Sequence, residues 1–258
     1  MHGSWTREWI ERRGMRTSTL DVHYLQSSSA FADMRIPVQR PAFRDARSFA
    51  DLSDSDLREL ARQRAFAGYT SGVVDTVTWH HELDFQPPDG DADIGRVEAV
   101  GLGLMREHAL DSSYVESWRR VSDGADRQFA LRVERGARLE RLLIVIGDRF
   151  LFVRNRATDL PRAASFDSLI VNSQASRSQI IAWLDCEFST GLVSSGAAPW
   201  RIERSTLPWR EGQRLTFADS VFVSRRTGAL EYNSAAAEHW SVPVNTVGDA
   251  LRGMFTAR

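Results

Sequence analysis

The stretch that most constrains this chain runs from Phe66 to Phe85, FAGYTSGVVDTVTWHHELDF. In its second half Thr78, His80, Glu82 and Asp84 alternate with Trp79, His81, Leu83 and Phe85. Successive strand residues point to opposite faces, so this spacing predicts one polar face and one mainly apolar face of a sheet. Two of the six histidines stand side by side here.

Short alternating runs of the same kind recur along the chain. Thr17 to Leu25 and Phe31 to Val38 read as a hairpin across Ser27-Ser28-Ser29. Ile94 to Val100, Leu104 to Leu110 and Tyr114 to Val121 follow as strands, with Pro87-Pro88-Asp89-Gly90 as a turn before them. Two features depart from the pattern. Trp5 and Trp9, four apart, suit one helical face. Residues 40–64 hold a helix start at Ser53, with Asp54 and Asp56 in the first turn and Leu57, Leu60 and Ala61 at helical spacing. This helical insert is expected to lie over the mouth of whatever the strands enclose.

The turn-rich Ser122-Asp123-Gly124-Ala125-Asp126 marks a boundary, after which strands resume at Phe129–Glu134, Leu139–Ile146 and Phe150–Arg154. A short helix over Ser176–Leu184 precedes strands at Cys186–Val193, Trp200–Arg204, Leu215–Phe217, Val221–Ser224 and Leu230–Tyr232. The expected fold is all-β, two packed antiparallel barrels with a few short helices. Residues 1–124 form the first barrel, with the insert at 40–64, and residues 125–258 the second.

Composition narrows the function by exclusion. At 258 residues, 42% of them hydrophobic, the chain buries a core without disulfides or metal. Its 33 basic residues, all arginine, balance 34 acidic ones, which leaves no footprint for nucleic acid or an anionic membrane. The absence of lysine excludes Schiff-base chemistry. The single cysteine, Cys186, excludes an internal disulfide and any multi-cysteine zinc site, and its apolar setting reads as an inert buried thiol. A charged N-terminus and the lack of a long apolar segment point to a soluble, cytoplasmic protein.

Four pieces of the sequence together resemble a known family: Ala65-Phe66-Ala67-Gly68 with the alternating strand after it, Tyr114-Val115-Glu116-Ser117-Trp118, Arg127 to Val133, and Leu142 to Gly147. In order and spacing they are similar to a small fungal family first named as interactors of a casein kinase I. The resemblance implies a pair of lipocalin-like (calycin-type) barrels and a possible protein partner, and it brings no catalytic residues. Trp79-His80-His81-Glu82 lies outside that pattern and stands on its own chemistry.

The polar face of the central strand has two readings. It either meets solvent, with Trp79, Leu83 and Phe85 as core, or looks into a barrel and forms a polar pocket. In the second case His80, His81 and Glu82 are the acid/base candidates, and Trp79, Asp84, Asp33, Arg35, Glu98, Tyr114, Glu116 and Trp118 line the ligand site. His81, on the apolar face, reads as a core histidine bonded to a backbone carbonyl. No metal is expected, because adjacent histidines on a strand diverge and no HExxH spacing exists. Gly101-Leu102-Gly103 lacks the third glycine and the βαβ setting of a dinucleotide loop, and no cofactor is expected. The leading expectation is a binding protein for a small apolar or aromatic molecule, its cavity lined by tryptophans. A cofactor-independent isomerase, cyclase or hydratase using the histidines and Glu82 is the alternative, and a protein-interaction module is the third.

Overall fold

The computed structural model describes residues 1–125, 127–194 and 199–217, and the backbone of three short strands at 221–223, 230–232 and 239–241. The chain is mainly β. Its first half comprises β1 (Gly3–Arg12), β2 (Met15–Thr17), β3 (Leu20–Gln26), β4 (Phe31–Pro37), β5 (Arg64–Val73), β6 (Thr76–Asp84), β7 (Asp93–Gly101), β8 (Leu104–Ala109) and β9 (Val115–Ser122). β1 pairs antiparallel with β3, each strand from β3 to β8 pairs antiparallel with the next, and β9 returns to pair with β1, closing an eight-stranded barrel that β2 extends at the end of β1. Closure removes the open edges that an eight-stranded meander would otherwise expose. Trp5 and Trp9 lie on β1 rather than on a helix. The register steps from Arg7↔Trp118 to Trp9↔Ser117, so Glu8 is a bulged residue. Trp5 therefore joins the barrel interior, and Trp9 sits outside between the Arg16 and Arg106 guanidiniums.

The second half is built on β10 (Gln128–Arg135), β11 (Arg138–Ile146), β12 (Arg149–Arg154), β13 (Glu187–Leu192) and β14 (Arg201–Ser205). With β17 (His239–Ser241) they form a six-stranded antiparallel sheet, order β14-β13-β12-β11-β10-β17, while β15 (Val221–Val223) and β16 (Leu230–Tyr232) pair separately. Leu215–Phe217 does not form a strand. Only Arg214 beside it makes an isolated bridge, to Arg201. The run Leu142–Ile146 is fully buried, as its composition implies, with alternate residues feeding two different cores.

One of those cores joins the two halves. Outward-facing Ala32, Met34, Ala65, Ala67 and Leu83 of the barrel meet Leu142, Ile144, Leu151 and Val153 of the sheet, and three helices fill the seam. The first, α1 (Asp54–Ala61), starts at a capping box in which the Ser53 hydroxyl accepts the Asp56 N–H and the Asp56 carboxylate accepts the Ser53 N–H. Its stripe of Leu57, Leu60 and Ala61 is buried against α2 (Phe166–Ser173) and α3 (Arg177–Leu184). The insert thus packs on the outer wall of the barrel, not over its mouth. Helix α2, unanticipated from the sequence, carries the same signal in Ser165 as N-cap before Phe166, Leu169 and Ile170.

Candidate functional site

The central strand turns Trp79 and His81 inward and the polar residues His80 and Glu82 outward, with a break in its alternation before Asp84. The register runs Ala67↔Leu83 and then Gly68↔His81, leaving Glu82 as an extra residue in β6. Gly68 permits this bulge, since a Cβ there would lie 1.9 Å from the His80 carbonyl oxygen. The bulge moves Asp84 to the face of Trp79 and His81, and puts His80 and Glu82 outside. His80 stacks on Tyr69 and shares a hydrogen bond of 2.7 Å with Ser71. Glu82 accepts two bonds from Arg132 of the second sheet, at 2.9 and 2.8 Å. Glu98 is also outside, 3.5 Å from His108. The three residues expected to act as acid and base do not converge.

His81 lies on the inner face but is solvent-exposed, and it is not the carbonyl-bonded core histidine the sequence suggests. Its ring lies parallel to Phe66 at 4.3 Å. Nδ1 bonds the Asp84 carboxylate at 2.7 Å and Nε2 bonds that of Asp93 at 3.1 Å. Two carboxylate acceptors require two N–H donors, hence an imidazolium. Burial opposes that charge, but the bonds to Asp84 and Asp93 outweigh it and raise the pKa from 6.5 to about 9. A raised pKa contributes stability that is complete below 6.5 and lost as pH rises through 9. His81 is solvent-exposed, so screening cuts the full value of the shift, and we expect the wild type to lose about 1 kcal/mol more than a His81→Gln variant across this window. Urea titrations at stepped pH measure it, and equal pH dependence in the two proteins would exclude the imidazolium.

The rest of the barrel interior divides into two ends. At one, aromatic side chains fill the space. Trp79 Nε1 donates to the Tyr24 hydroxyl at 3.1 Å, that hydroxyl donates to Gln26 at 2.5 Å, and Gln26 donates to Thr70 at 2.8 Å. Tyr24 also packs on Phe31 and Trp118, with centroids 5.8 and 5.9 Å apart. Gly95 has no side chain where the Trp79 ring passes, since a Cβ would lie 3.2 Å from it. Trp79 and Trp118 are therefore packing partners here, not the walls of an open cavity.

At the other end the lining is charged. Glu116, 2% exposed, pairs through Oε1 with Arg7, and Arg35 stands 3.6 Å from the same oxygen. Oε2 of Glu116 has no hydrogen-bond partner. Arg35 holds Asp33 with two bonds of 2.9 Å. The Tyr114 hydroxyl donates to Glu107 at 3.1 Å. Burial and the neighbouring Glu116 charge push the Glu107 carboxyl up to about 8 against the pull of Arg35, so it keeps its proton at neutral pH. Burial, then Glu107 and Glu116, push Tyr114 up as well. Of the residues picked from sequence, Asp33, Arg35, Asp84, Tyr114 and Glu116 meet at this end. Arg7 and Asp93 were missed, and Glu107 was weighed only as a metal ligand. Their only signal is a position on inward-facing alternate residues of strands read as generic.

An open cleft of about 480 Å³ lies on the side of the barrel and touches this end at Arg7 alone. β1 pairs with β3 only over Gly3–Thr6 and with β2 only over Ile10–Arg12, so the wall is unzipped between. Thr6, Arg7, Leu20, Asp21, Val22, Val38 and Arg204 line the opening. Among the described residues no cluster of three or more metal-ligating side chains occurs, and no helix is long and apolar enough to cross a membrane.

No family model matches the sequence, and no curated protein matches it. Among solved structures the chain is similar to the uncharacterized protein YLR301w of Saccharomyces cerevisiae. The TM-score is 0.53 with 13% identity, over 93% of this chain and 97% of the yeast protein. At that identity the likeness establishes an all-β, barrel-containing fold shared over nearly the whole of both chains, and nothing of activity.

Proposed function

We propose that the chain is a cytoplasmic small-molecule-binding protein of lipocalin-like architecture, related to the fungal casein kinase I-interacting family, that takes a polar ligand at the charged end of its first barrel. The observation that carries this is Glu116. A carboxylate oxygen 2% exposed and without a donor costs about 1–3 kcal/mol or more unless something supplies one. The cleft beside Arg7 is the nearest surface opening to this end among the described residues. The sequence favoured an apolar or aromatic ligand. The packed tryptophans and the charged lining favour one that brings a hydroxyl or amine donor to Glu116. Native mass spectrometry of protein from its own host is the test. We expect a co-purifying small molecule on the wild type that a Glu116→Gln variant fails to retain. A bare wild-type mass, or equal retention by the variant, counts against the reading.

A second reading has its own observation. Acid/base chemistry, if present, belongs to Glu107, whose proton is held near neutral pH beside Tyr114, and not to His80, His81 and Glu82. Conversion of the recovered ligand by wild type but not by Glu107→Gln would favour it over simple binding.

A further inference from the structure

The charges on the inward-facing positions of the barrel strands are sorted by strand, with Arg12 and Arg64 exposed at the rim. Arginines occupy one half of the wall: Arg7 and Arg12 on β1, Arg35 on β4 and Arg64 on β5. Apart from Asp33, the carboxyls occupy the other: Asp84 on β6, Asp93 on β7, Glu107 on β8 and Glu116 on β9. The deeper arginines are neutralised, Arg7 by Glu116 and Arg35 by Asp33. The two nearest the rim are not.

Arg64 is the direct cross-strand partner of Arg35 and shares its face, yet it makes no ion pair among the described residues. Arg12 lies two residues beyond Ile10, which faces Glu116, and its guanidinium stands 5.7 Å over the Tyr114 ring, likewise with no carboxylate partner among the described residues. Like charges directly opposed across strands are destabilising without a counter-charge. The cost is visible in Arg64, whose pKa is lowered by burial and then by the charges of Arg35, Arg12 and Arg7. Asp89, in the loop after β6, offsets part of this repulsion through its charge but makes no ion pair with Arg64 among the described residues. Glu107, holding its proton, adds no negative charge to offset them.

We propose that Arg64 and Arg12 form an anion-binding site on the rim of the barrel, which takes the carboxylate or phosphate group of the ligand whose donor group reaches Glu116. Arginine presents a planar fork of donors to either oxyanion, and the partnered arginines behind the pair keep an anion from being drawn deeper. This rests on the binding reading above, but it can fail separately.

The test is isothermal titration with inorganic phosphate and, separately, acetate, at constant ionic strength set with chloride. We expect saturable binding of at least one of them. Arg64→Gln and Arg12→Gln should each weaken it about tenfold or more, the loss of a charge-assisted contact. Arg96→Gln, an exposed arginine on the outer face of β7, should leave it within about twofold. Circular dichroism checks that the exposed Arg12 and Arg64 variants remain folded. Phosphate binding alone assigns a phosphoryl ligand, and binding of both assigns a general oxyanion site. No saturable binding to wild type, or equal loss in Arg96→Gln, overturns the rim site. A ligand that co-purifies with wild type and survives both rim substitutions overturns it too and leaves the binding reading standing. Phosphate binding to a wild type that carries no co-purified ligand does the reverse.

Discussion

Arg156→Leu should cost roughly 4 kcal/mol of folding free energy, three lost carbonyl bonds at about 1–3 kcal/mol each, offset in part by the new apolar contact. Arg156 follows β12, is 5% exposed and makes no ion pair with a carboxylate among the described residues. Its Nε donates to the Trp183 carbonyl at 2.8 Å, and its two Nη atoms donate to the carbonyls of Asp84 and Phe85, both at 2.7 Å. One guanidinium therefore ties the end of β6 to the end of α3, across the seam between barrel and sheet. Leucine fills much of the volume and supplies no donor, so three buried acceptors go unmet. The midpoint in urea should fall with little change in slope. Arg156→Lys should recover only part of the loss, since an ammonium cannot hold the planar fork. A loss below about 1 kcal/mol for Arg156→Leu would mean that water replaces the guanidinium and that it is not a clamp. Because it grips the Asp84 carbonyl, the same substitution should loosen the His81–Asp84 pair and lower the pH sensitivity assigned to His81.

Much of this architecture is legible in the sequence because strand alternation and helix capping are local. The hairpin of β3 and β4, the three strands opening the second half, and α1 with Ser53 as its cap follow from residues close together in the chain. The interior of the barrel is legible only up to its bulges. Asp33, Arg35, Tyr114 and Glu116 sit where alternation puts them, on the inner face. His80, His81 and Glu82 keep the alternation, but Asp84, beyond the extra residue opposite Gly68, changes face and joins Trp79 and His81. A bulge is decided by the register between strands, and a single strand carries no record of it beyond a glycine in its neighbour. The partner of Glu107 is similarly unreadable. Its raised pKa comes first from burial and then from Glu116 on the adjacent strand, both set by closure of the sheet rather than by spacing along the chain.

The helix shows a different limit. Its apolar stripe is plain in Leu57, Leu60 and Ala61, but a stripe says that something is covered without saying what. A lid and a wall-packed helix make opposite predictions for the double variant Leu57→Ser, Leu60→Ser. Over a barrel mouth, the substitutions would loosen a bound ligand and barely move Tm. In the seam both leucines are 1% exposed, packed with Phe166 and Leu169 of α2, Trp183 and Leu184 of α3, and the barrel's outer wall. Truncating a buried leucine costs about 2–5 kcal/mol, and serine adds an unpaired hydroxyl to the cavity. Two such changes on one face approach or exceed the roughly 5–15 kcal/mol that hold a domain together. We therefore expect the double variant to unfold near room temperature or to be recovered only as aggregate. Leu57→Ala alone should stay folded with a Tm lower by roughly 10 °C or more. It should also retain its co-purified ligand at the wild-type level below that Tm, since α1 does not face the cleft at Arg7. A Leu57→Ala protein with nearly unchanged Tm and a lost ligand would put the helix back over the barrel mouth.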